Sequence, residues 1–413
     1  MSRFAPTSAH PTRRSVLTGT GATLAALAMP GTMRVTFAAG PADAPLVVIL
    51  LRGGLDGLAF LPPHGDPAYA DARGGLALPP PGVPGGILDL DGAVGLHPAA
   101  GALLPLWASG EAAFAPAVAT PYAGTSHEEA IGILDSGMPV YSPDAEDGWI
   151  NRAIAASGAA GGDGGADVLA LGHDLPLAVR GPAAAEPWVR NRLMGPGAGF
   201  TAKVGALYEL DPFLTSALQA AMGSRETRYA ALGTDHRTAD TSGWVPSALA
   251  LMAGPVAERL RDPTAPNVAV IEIGGWDTHH GQGAAEGPLA RSIAGLSEGI
   301  SALARALSDR WQDSMILVAS EFGRTAAPND NGGTDHGHAT VGMAFGGGLS
   351  GGIFGSLPSL AAGDLSDHGG VSPTLDTRAF LKGALAHHWS LSTAALDTRV
   401  FPDSASARAV SGF

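Results

Sequence analysis

The chain has 413 residues, with 24 lysines and arginines against 38 aspartates and glutamates, and a formal charge of −14. This acidity argues against nucleic acid as a partner, because phosphate backbones are repelled. Cysteine is absent, which excludes a disulfide framework and a thiolate metal site, so any metal ion must be held by histidine and carboxylate side chains.

The first 39 residues have the order of an export signal. Arg13 and Arg14 stand side by side, and a weakly apolar run and small residues follow. The run is shorter than the ~20 apolar residues of a spanning helix. We expect a twin-arginine signal peptide over residues 1–39, cleaved near Ala38 or Ala39, passage through the twin-arginine export machinery, a periplasmic or secreted location and no permanent membrane span. The alternative is a tail in which the two arginines are adjacent by chance.

Three continuous apolar runs, at residues 45–51, 267–273 and 314–320, each lead into an acidic loop that contains glycine. A run that is apolar throughout is typical of a strand buried on both faces, in the middle of a parallel sheet. Two further strands are predicted at residues 111–118 and 339–345. Open α/β sheets bind ligands at the carboxyl ends of such strands.

Apolar residues recur at helical spacing between the second and third of these strands, at Ile293, Leu296, Ile300, Leu303 and Leu307. A strand, helix and strand in this order predict a parallel crossover. We therefore expect residues 40–413 to form an α/β domain with a doubly wound, mostly parallel sheet and helices on both faces. Loop and helical insertions interrupt it, with a candidate cap around residues 157–252 that includes a helix at 214–222.

Histidine, carboxylate and hydroxyl side chains gather in the loops beside the predicted strands. They are Asp56, Ser126, His127, Glu272, Asp277, His279, His280, Glu321, Asp335, His336 and His338. Because parallel strands end at one edge of the sheet, we expect these side chains to form a site there. Such ligands suit divalent metal ions at hydrolytic centres, with zinc, manganese, calcium and iron not distinguished.

Each motif also has a structural interpretation. Residues 277–280 fit a capped turn, and residues 321–324 fit a local ion pair that holds its loop. Residues 335–338 are hardest to explain structurally, because three ligand-type side chains fall within four positions. Ser126 is either a nucleophile aided by a metal ion and a helix N-terminus, or the N-cap of the helix that starts beside it.

Six motifs follow one another along nearly the whole chain after the signal. They are Leu-Arg-Gly-Gly-Leu-Asp-Gly-Leu at 51–58, Gly-Leu-His-Pro at 95–98, Thr-Ser-His at 125–127, Gly-Gly-Trp-Asp-Thr-His at 274–279, Ser-Glu-Phe-Gly-Arg-Thr at 320–325 and Gly-Thr-Asp-His-Gly at 333–337. Together they resemble the exported bacterial family called domain of unknown function 1501, placed in the alkaline phosphatase and sulfatase superfamily. The resemblance implies two metal ions at the strand ends and a hydroxyl nucleophile that attacks a phosphoryl or sulfuryl group.

The resemblance also implies a role for each candidate. These are the acid after the first strand (Asp56), the nucleophile (Ser126), the paired acids of a metal loop (Glu272 and Asp277) with its histidine (His279 or His280), and the late histidine site (Asp335 or His336). The chain departs from the superfamily at Glu321-Phe322, where an Asp-His pair is usual, and in the short spacing from Asp277 to the next histidine.

Three functions follow from these residues. The leading prediction is an exported metal-dependent hydrolase of a small anionic phosphate or sulfate ester, with Ser126 and His127 as the catalytic candidates. The second is a non-catalytic envelope binding or assembly protein that has lost a complete two-metal centre, for which Glu321-Phe322 is the reason. The third is a metal-dependent oxidative or maturation enzyme, since histidine and carboxylate sets also hold iron.

Overall fold

The structure is a computed structural model that describes residues 33–38, 41, 44–158, 175–183, 185–188, 247–262 and 267–413. In these ranges the strands are β1 (Met33–Ala38), β2 (Leu46–Leu51), β3 (Leu88–Asp89), β4 (Gly95–Leu96), β5 (Ala112–Ala119), β6 (Ala185–Trp188), β7 (Val268–Ile273), β8 (Met315–Ser320), β9 (Thr340–Phe345), β10 (Gly352–Ile353) and β11 (Leu375–Asp376).

The α-helices of the same ranges are α1 (Gly57–Phe60), α2 (Tyr69–Arg73), α3 (Leu104–Ala108), α4 (His127–Ser136), α5 (Trp149–Ala156), α6 (Ala248–Arg261), α7 (Pro288–Leu307), α8 (Thr377–Trp389) and α9 (Thr393–Ala395). Short 3-10 segments lie at Gly74–Leu76, Pro98–Leu103, Leu177–Val179 and Ser308–Asp313, and a π segment lies at Leu396–Val400. None of the helices described is long and apolar enough to cross a bilayer.

One large sheet organises the described chain. Its strand order is β10-β5-β9-β8-β2-β7-β1-β6, with β11 also paired to β5. Strand β2 is parallel to both β7 and β8, whereas β9 runs antiparallel to β8 and β5 and β1 runs antiparallel to β7 and β6. All the remaining strands of this sheet point in one direction, opposite to β1 and β9. The sheet is therefore mixed and mostly parallel.

The continuous apolar runs form strands as predicted, each within a residue of its expected bounds. The helical pattern between β7 and β8 becomes α7. Both β7 and β8 pair with β2, which is fully buried along its length. This confirms an α/β arrangement in which central strands carry no exposed face.

Helices cover both faces of the sheet. Successive side chains of a strand point to opposite faces. Val47, Ile49 and Leu51 of β2 pack in the same apolar cluster as α6 and α7, while the alternate residues of β2 pack in the cluster that contains α5 and α8. The described end of the candidate cap, residues 247–252, therefore belongs to a helix of the core, and most of residues 157–252, including the predicted helix at 214–222, lie outside the described residues.

Strand β1 lies inside the predicted signal peptide. Its six residues pair with all of β7, and four of them also pair with β6. The side chain of Val35 is buried in the same cluster as α6 and α7. Cleavage at Ala38 or Ala39 would remove this strand, so the sheet begins before the boundary predicted from the sequence.

Because β9 runs in the reversed direction, the loop that precedes it lies beside the loops that follow the parallel strands. The carboxyl ends of β2, β5, β7 and β8 lie at one edge, and the amino end of β9 meets them there because β9 runs the opposite way. Gly53 has a φ of 122°, and a Cβ atom on it would lie 2.5 Å from the Asp277 nitrogen. The loops after β2 and β7 approach this closely only because Gly53 has no side chain.

Candidate metal centre

Side chains from four segments meet at this edge of the sheet. His127 is the first residue of α4, after β5, and Asp277 and His279 follow β7. Glu321 directly follows β8, and His336 precedes β9. The tertiary structure therefore brings together residues that are up to 209 positions apart, by the difference between 336 and 127.

Asp277 contacts all three histidines of the cluster. Its Oδ1 atom lies 3.0 Å from Nε2 of His279 and 3.2 Å from Nε2 of His336, and its Oδ2 atom lies 3.5 Å from Nε2 of His127. Arg324 donates from Nη1 to Oδ1 at 2.7 Å. Three imidazoles and one guanidinium thus face the same carboxylate.

Each of the three imidazoles is held from behind by an acceptor on its Nδ1 atom. The pairs are His127 with Glu321 Oε1 at 3.0 Å, His279 with Asp335 Oδ1 at 3.0 Å, and His336 with the Thr125 carbonyl at 2.8 Å. Carboxylate and carbonyl oxygens only accept, so Nδ1 carries a proton in all three rings. The Nε2 atoms therefore point inward, and each offers a lone pair to an ion once it carries no proton of its own.

Three of the donors are close enough to share one ion, because ligand atoms of His127, Asp277 and His336 all lie within 4.8 Å of one another. His279 is outside this set of three, but its Nε2 atom lies 3.0 Å from Nε2 of His336 and 3.0 Å from Asp277 Oδ1. The side chains of His336, His127 and Asp277 are 15%, 33% and 43% exposed. Solvent and small solutes therefore reach the centre.

The arrangement has the features of a carboxylate–histidine–metal site. Metal-bound histidines almost always donate the second ring N–H to a carboxylate or carbonyl, which fixes the tautomer and the ring orientation. All three imidazoles here already have such a partner, and Asp277 supplies an anionic oxygen. The chemistry of these donors fits a divalent ion.

Phe322 supports the cluster from one side. Its buried ring lies 4.9 Å from the ring centre of His127 and 4.7 Å from that of His336. A Cβ atom on Gly54 would lie 2.5 Å from the Phe322 ring, so the glycine makes room for it. Phe322 therefore packs against two of the imidazoles and helps to hold their rings in place.

Opposing charges shift the ionisation of the cluster. Burial alone would lower the pKa of His127, but hydrogen bonds to Asp277 and Glu321 raise it to about 9. Burial alone would raise the pKa of Asp277 and of Glu321. Hydrogen bonds from His127, His336 and Arg324 hold the pKa of Asp277 well below its usual range, and His127 and Arg52 lower that of Glu321. Both carboxylates are therefore ionised at neutral pH.

Glu321 is shielded from solvent and orients the ring of His127. Its side chain is fully buried, and Oε1 accepts the Gly53 N–H at 2.7 Å as well as Nδ1 of His127. Ser320 donates its hydroxyl to Oε2 at 3.1 Å. The local ion pair considered for residues 321–324 does not form, because Arg324 reaches Asp277 instead.

Asp56, expected as a metal ligand, is instead a buried partner of Arg73. Arg73 donates to its Oδ2 at 2.7 Å, Gln282 donates to the same atom at 2.6 Å, and Oδ1 caps α1 through the Ala59 N–H. Gln282 also accepts from Thr334 at 2.7 Å. Thr334 in turn accepts from Arg324 at 3.2 Å, so Asp56 touches the centre only through a chain of hydrogen bonds.

Glu272 is likewise diverted from the metal-ligand role expected for it. Arg52 donates to Glu272 Oε1 at 2.7 and 3.0 Å and makes a bidentate pair with Asp135 at 2.8 Å for both bonds. All three side chains are buried. Burial opposes the charge of Arg52, but the two carboxylates raise its pKa above the ordinary value.

The remaining candidates lie around the cluster. Ser126 is the N-cap of α4 and accepts the Glu129 N–H at 3.4 Å. His338 hydrogen-bonds the backbone of Tyr122. The ring of His280 is exposed, and no described residue hydrogen-bonds to it.

Sequence reasoning missed several residues that shape the site. The sequence does not show that Phe322 packs against imidazoles, and it gives Gln282 and the hydroxyl of Thr334 no recognisable role. The burial of Asp135 could have been predicted, because this charged residue lies beside Ile131 and Leu134 on the apolar side of α4. A buried acid on an apolar helix face implies a basic partner across the core.

A family model described as "Protein of unknown function (DUF1501)" matches residues 97–400 of this chain. The matched part contains every member of the cluster, namely His127, Asp277, His279, Glu321 and His336. No curated protein matches the chain, and no solved structure matches it.

Proposed function

The chain belongs to the DUF1501 family, and from that premise we propose that it is an exported metal-dependent hydrolase acting on a small anionic phosphate or sulfate ester. The observation that supports this most is the convergence of three imidazole Nε2 atoms on Asp277 at the open edge of an α/β sheet. This edge is where α/β folds bind their ligands.

Three histidines and Asp277 would hold the ion. A bound divalent ion would polarise an ester oxygen and lower the pKa of a bound water. Glu321 and Asp335 keep Nδ1 of His127 and His279 protonated, which directs both Nε2 atoms inward. Arg324, fully buried, fixes the position of the Asp277 carboxylate.

The attacking oxygen is assigned to water and not to Ser126. The Ser126 hydroxyl accepts the Glu129 N–H and so stabilises the start of α4, which is the ordinary function of an N-cap serine. His127 follows it directly, and its ring is the one whose pKa is raised to about 9. In the metal-free protein this ring therefore carries a proton at neutral pH.

Hydrolysis by protein purified without chelator tests the proposal. The assay uses aryl phosphate monoesters, aryl phosphate diesters and aryl sulfates, with wild type, His336→Gln, Ser126→Ala and the control His387→Gln, which changes an exposed histidine of α8. We expect turnover that His336→Gln lowers at least ~100-fold and that the control leaves unchanged. Ser126→Ala retains turnover if water attacks and loses it if the serine does. Absence of turnover by wild type on all three ester classes contradicts the proposal.

A second candidate is a non-catalytic envelope binding or assembly protein. The diversion of Asp56 and Glu272 to arginine partners favours it, because two carboxylates implied for a two-metal centre are then occupied. A stable complex with another exported protein, without ester turnover, would support this candidate over the hydrolase.

We also propose that the protein is exported by the twin-arginine machinery to the periplasm or beyond, with Arg13 and Arg14 as the signal. Because β1 pairs with strands on both sides, we place signal cleavage before Met33 and not at Ala38 or Ala39. The mass of the chain recovered from a periplasmic extract distinguishes the two positions.

A further inference from the structure

We propose that the centre binds one metal ion, not two, and that its ligands select an imidazole-preferring transition metal such as zinc or iron over calcium or magnesium. The ligands are the Nε2 atoms of His127, His279 and His336 and the carboxylate of Asp277. This deepens the proposed function and rests on it only in assigning the ion a role in hydrolysis.

The limit of one ion follows from how the carboxylates are used. Asp56 accepts three hydrogen bonds in a buried network, and Glu272 is paired with Arg52. Glu321 is fully buried behind His127, and Asp335 lies behind His279. Among the acids predicted from the sequence, Asp277 alone faces the three Nε2 atoms. A second ion at the three Nε2 atoms would therefore have to share Asp277 or draw a carboxylate away from one of these pairs.

The preference for a transition metal follows from the chemistry of the donors. Calcium and magnesium take oxygen ligands almost exclusively. Zinc, iron, nickel and copper bind imidazole well, and three imidazoles outnumber one carboxylate here. The calcium considered from the sequence is therefore disfavoured by the ligand set that the fold assembles.

The charges around the centre favour a cation. Asp277 contributes one negative charge to the ligand set, and Glu321 and Asp335 contribute two more through the Nδ1 atoms of His127 and His279. Arg324 offsets one of them at 2.7 Å from Asp277. The net of these four groups is two negative charges, so a positive ion is attracted to the point where the Nε2 atoms meet.

The geometry also leaves a side of the ion open. His127 and Asp277 remain one third or more exposed, so solvent reaches the point where their donor atoms meet. Catalytic zinc sites usually keep this position for water beside three protein ligands and sometimes expand to five-coordinate. With three imidazoles and one carboxylate as ligands, a water or substrate oxygen would take a fifth position on the exposed side.

Metal titration of the full chain, stripped with a chelator and re-dialysed, tests the inference without reference to activity. Cobalt(II) is added first, because its visible absorption reports nitrogen-rich coordination, followed by competition with zinc and with calcium, and metal is counted by mass spectrometry. We expect saturation at one cobalt per chain, displacement by equimolar zinc, and no displacement by calcium in thousandfold excess. His279→Gln weakens cobalt binding at least ~10-fold, while the exposed control His387→Gln does not.

Two ions per chain at saturation, or displacement by calcium as readily as by zinc, would overturn the inference. Unchanged cobalt binding by His279→Gln would remove His279 from the ligand set and refute the three-imidazole centre. The outcome is separable from the proposed function. One ion with no ester hydrolysis contradicts only the hydrolase, and two ions with hydrolysis contradict only the single-ion centre.

Discussion

The fully buried guanidinium of Arg324 donates to Asp277 Oδ1 at 2.7 Å and thereby fixes the carboxylate on which three imidazoles converge. The rest of the guanidinium is held by Thr334, through its hydroxyl and its carbonyl. A planar group with several fixed donors is suited to this task, and an ammonium group is not.

We expect Arg324→Lys to weaken zinc binding at least ~10-fold, because lysine cannot bind Asp277 and Thr334 with the same geometry. The variant retains the positive charge, so a loss of affinity reports position and not charge. Competition titration against a chromogenic chelator measures it, with Arg305→Lys on the exposed side of α7 as the matched control. Equal affinity in both variants would show that Arg324 does not position the ligand.

Glu321→Gln removes a buried negative charge but keeps the size of the side chain. The pKa of His127 then falls from about 9, since one of the two carboxylates that stabilise the imidazolium is gone. NMR titration of the metal-free protein follows the His127 ring directly. We also expect ~10-fold weaker zinc binding. A pKa that stays near 9 would mean that Asp277 alone sets the protonation of His127.

Arg52→Met leaves Asp135 and Glu272 as buried carboxylates without a cationic partner. Breaking a buried pair in this way costs about 3–5 kcal/mol in the free energy of unfolding. Urea denaturation of the chelator-treated protein measures the loss. Asp147→Asn disrupts the more exposed Arg152–Asp147 pair and serves as the control, with an expected loss below about 1 kcal/mol. A similar small loss for both variants would contradict the central role of Arg52.

His388 makes the fold sensitive to acid. Burial lowers the pKa of His388 to about 4, although its ring hydrogen-bonds the Pro45 carbonyl. The unfolded chain takes up this proton near pH 6.5, whereas the folded chain does not until about pH 4. Between these values stability falls as the pH falls, by about 2 kcal/mol at pH 5.

Chemical denaturation at pH 7 and pH 5 measures that loss. His388→Gln keeps an N–H donor near Pro45 and cannot titrate, so its stability declines less between the two pH values. The exposed His387→Gln variant should decline almost as much as wild type, because burial and not the His387 charge is the main cause of the lowered pKa of His388. An equal decline in all three proteins would assign the acid sensitivity to other groups.

Removing β1 destabilises the sheet. A chain that begins at Gly40 lacks one of the two strands that pair with β7 and the buried side chain of Val35. We expect its free energy of unfolding to be lower by about 2 kcal/mol or more than that of a chain that begins at Met33. Equal stability of the two chains would favour cleavage at Ala38 or Ala39 after all.

The sequence alone determined the central strands of the fold. The apolar runs that became β2, β7 and β8 are continuous because their strands are buried on both faces, and this leaves a direct trace in the order of residues. The periodicity of α7 is similarly local. The strand-end positions of His127, Asp277, His279 and His336 were also predictable, because acidic and histidine-bearing loops follow or precede recognisable strands.

Only the tertiary structure decided which acids face the centre. Asp56 and Glu272 look like Asp277 in the sequence, yet both are buried with an arginine, whereas Asp277 is 43% exposed and faces three histidines. Arg52 lies 220 positions from Glu272. That pairing depends on β2 lying beside β7, and the contribution of His336 depends on the reversed direction of β9. A carboxylate has the same local pattern whether it binds a metal ion or an arginine. Its partner is set by long-range strand order and burial, which no short stretch of sequence encodes.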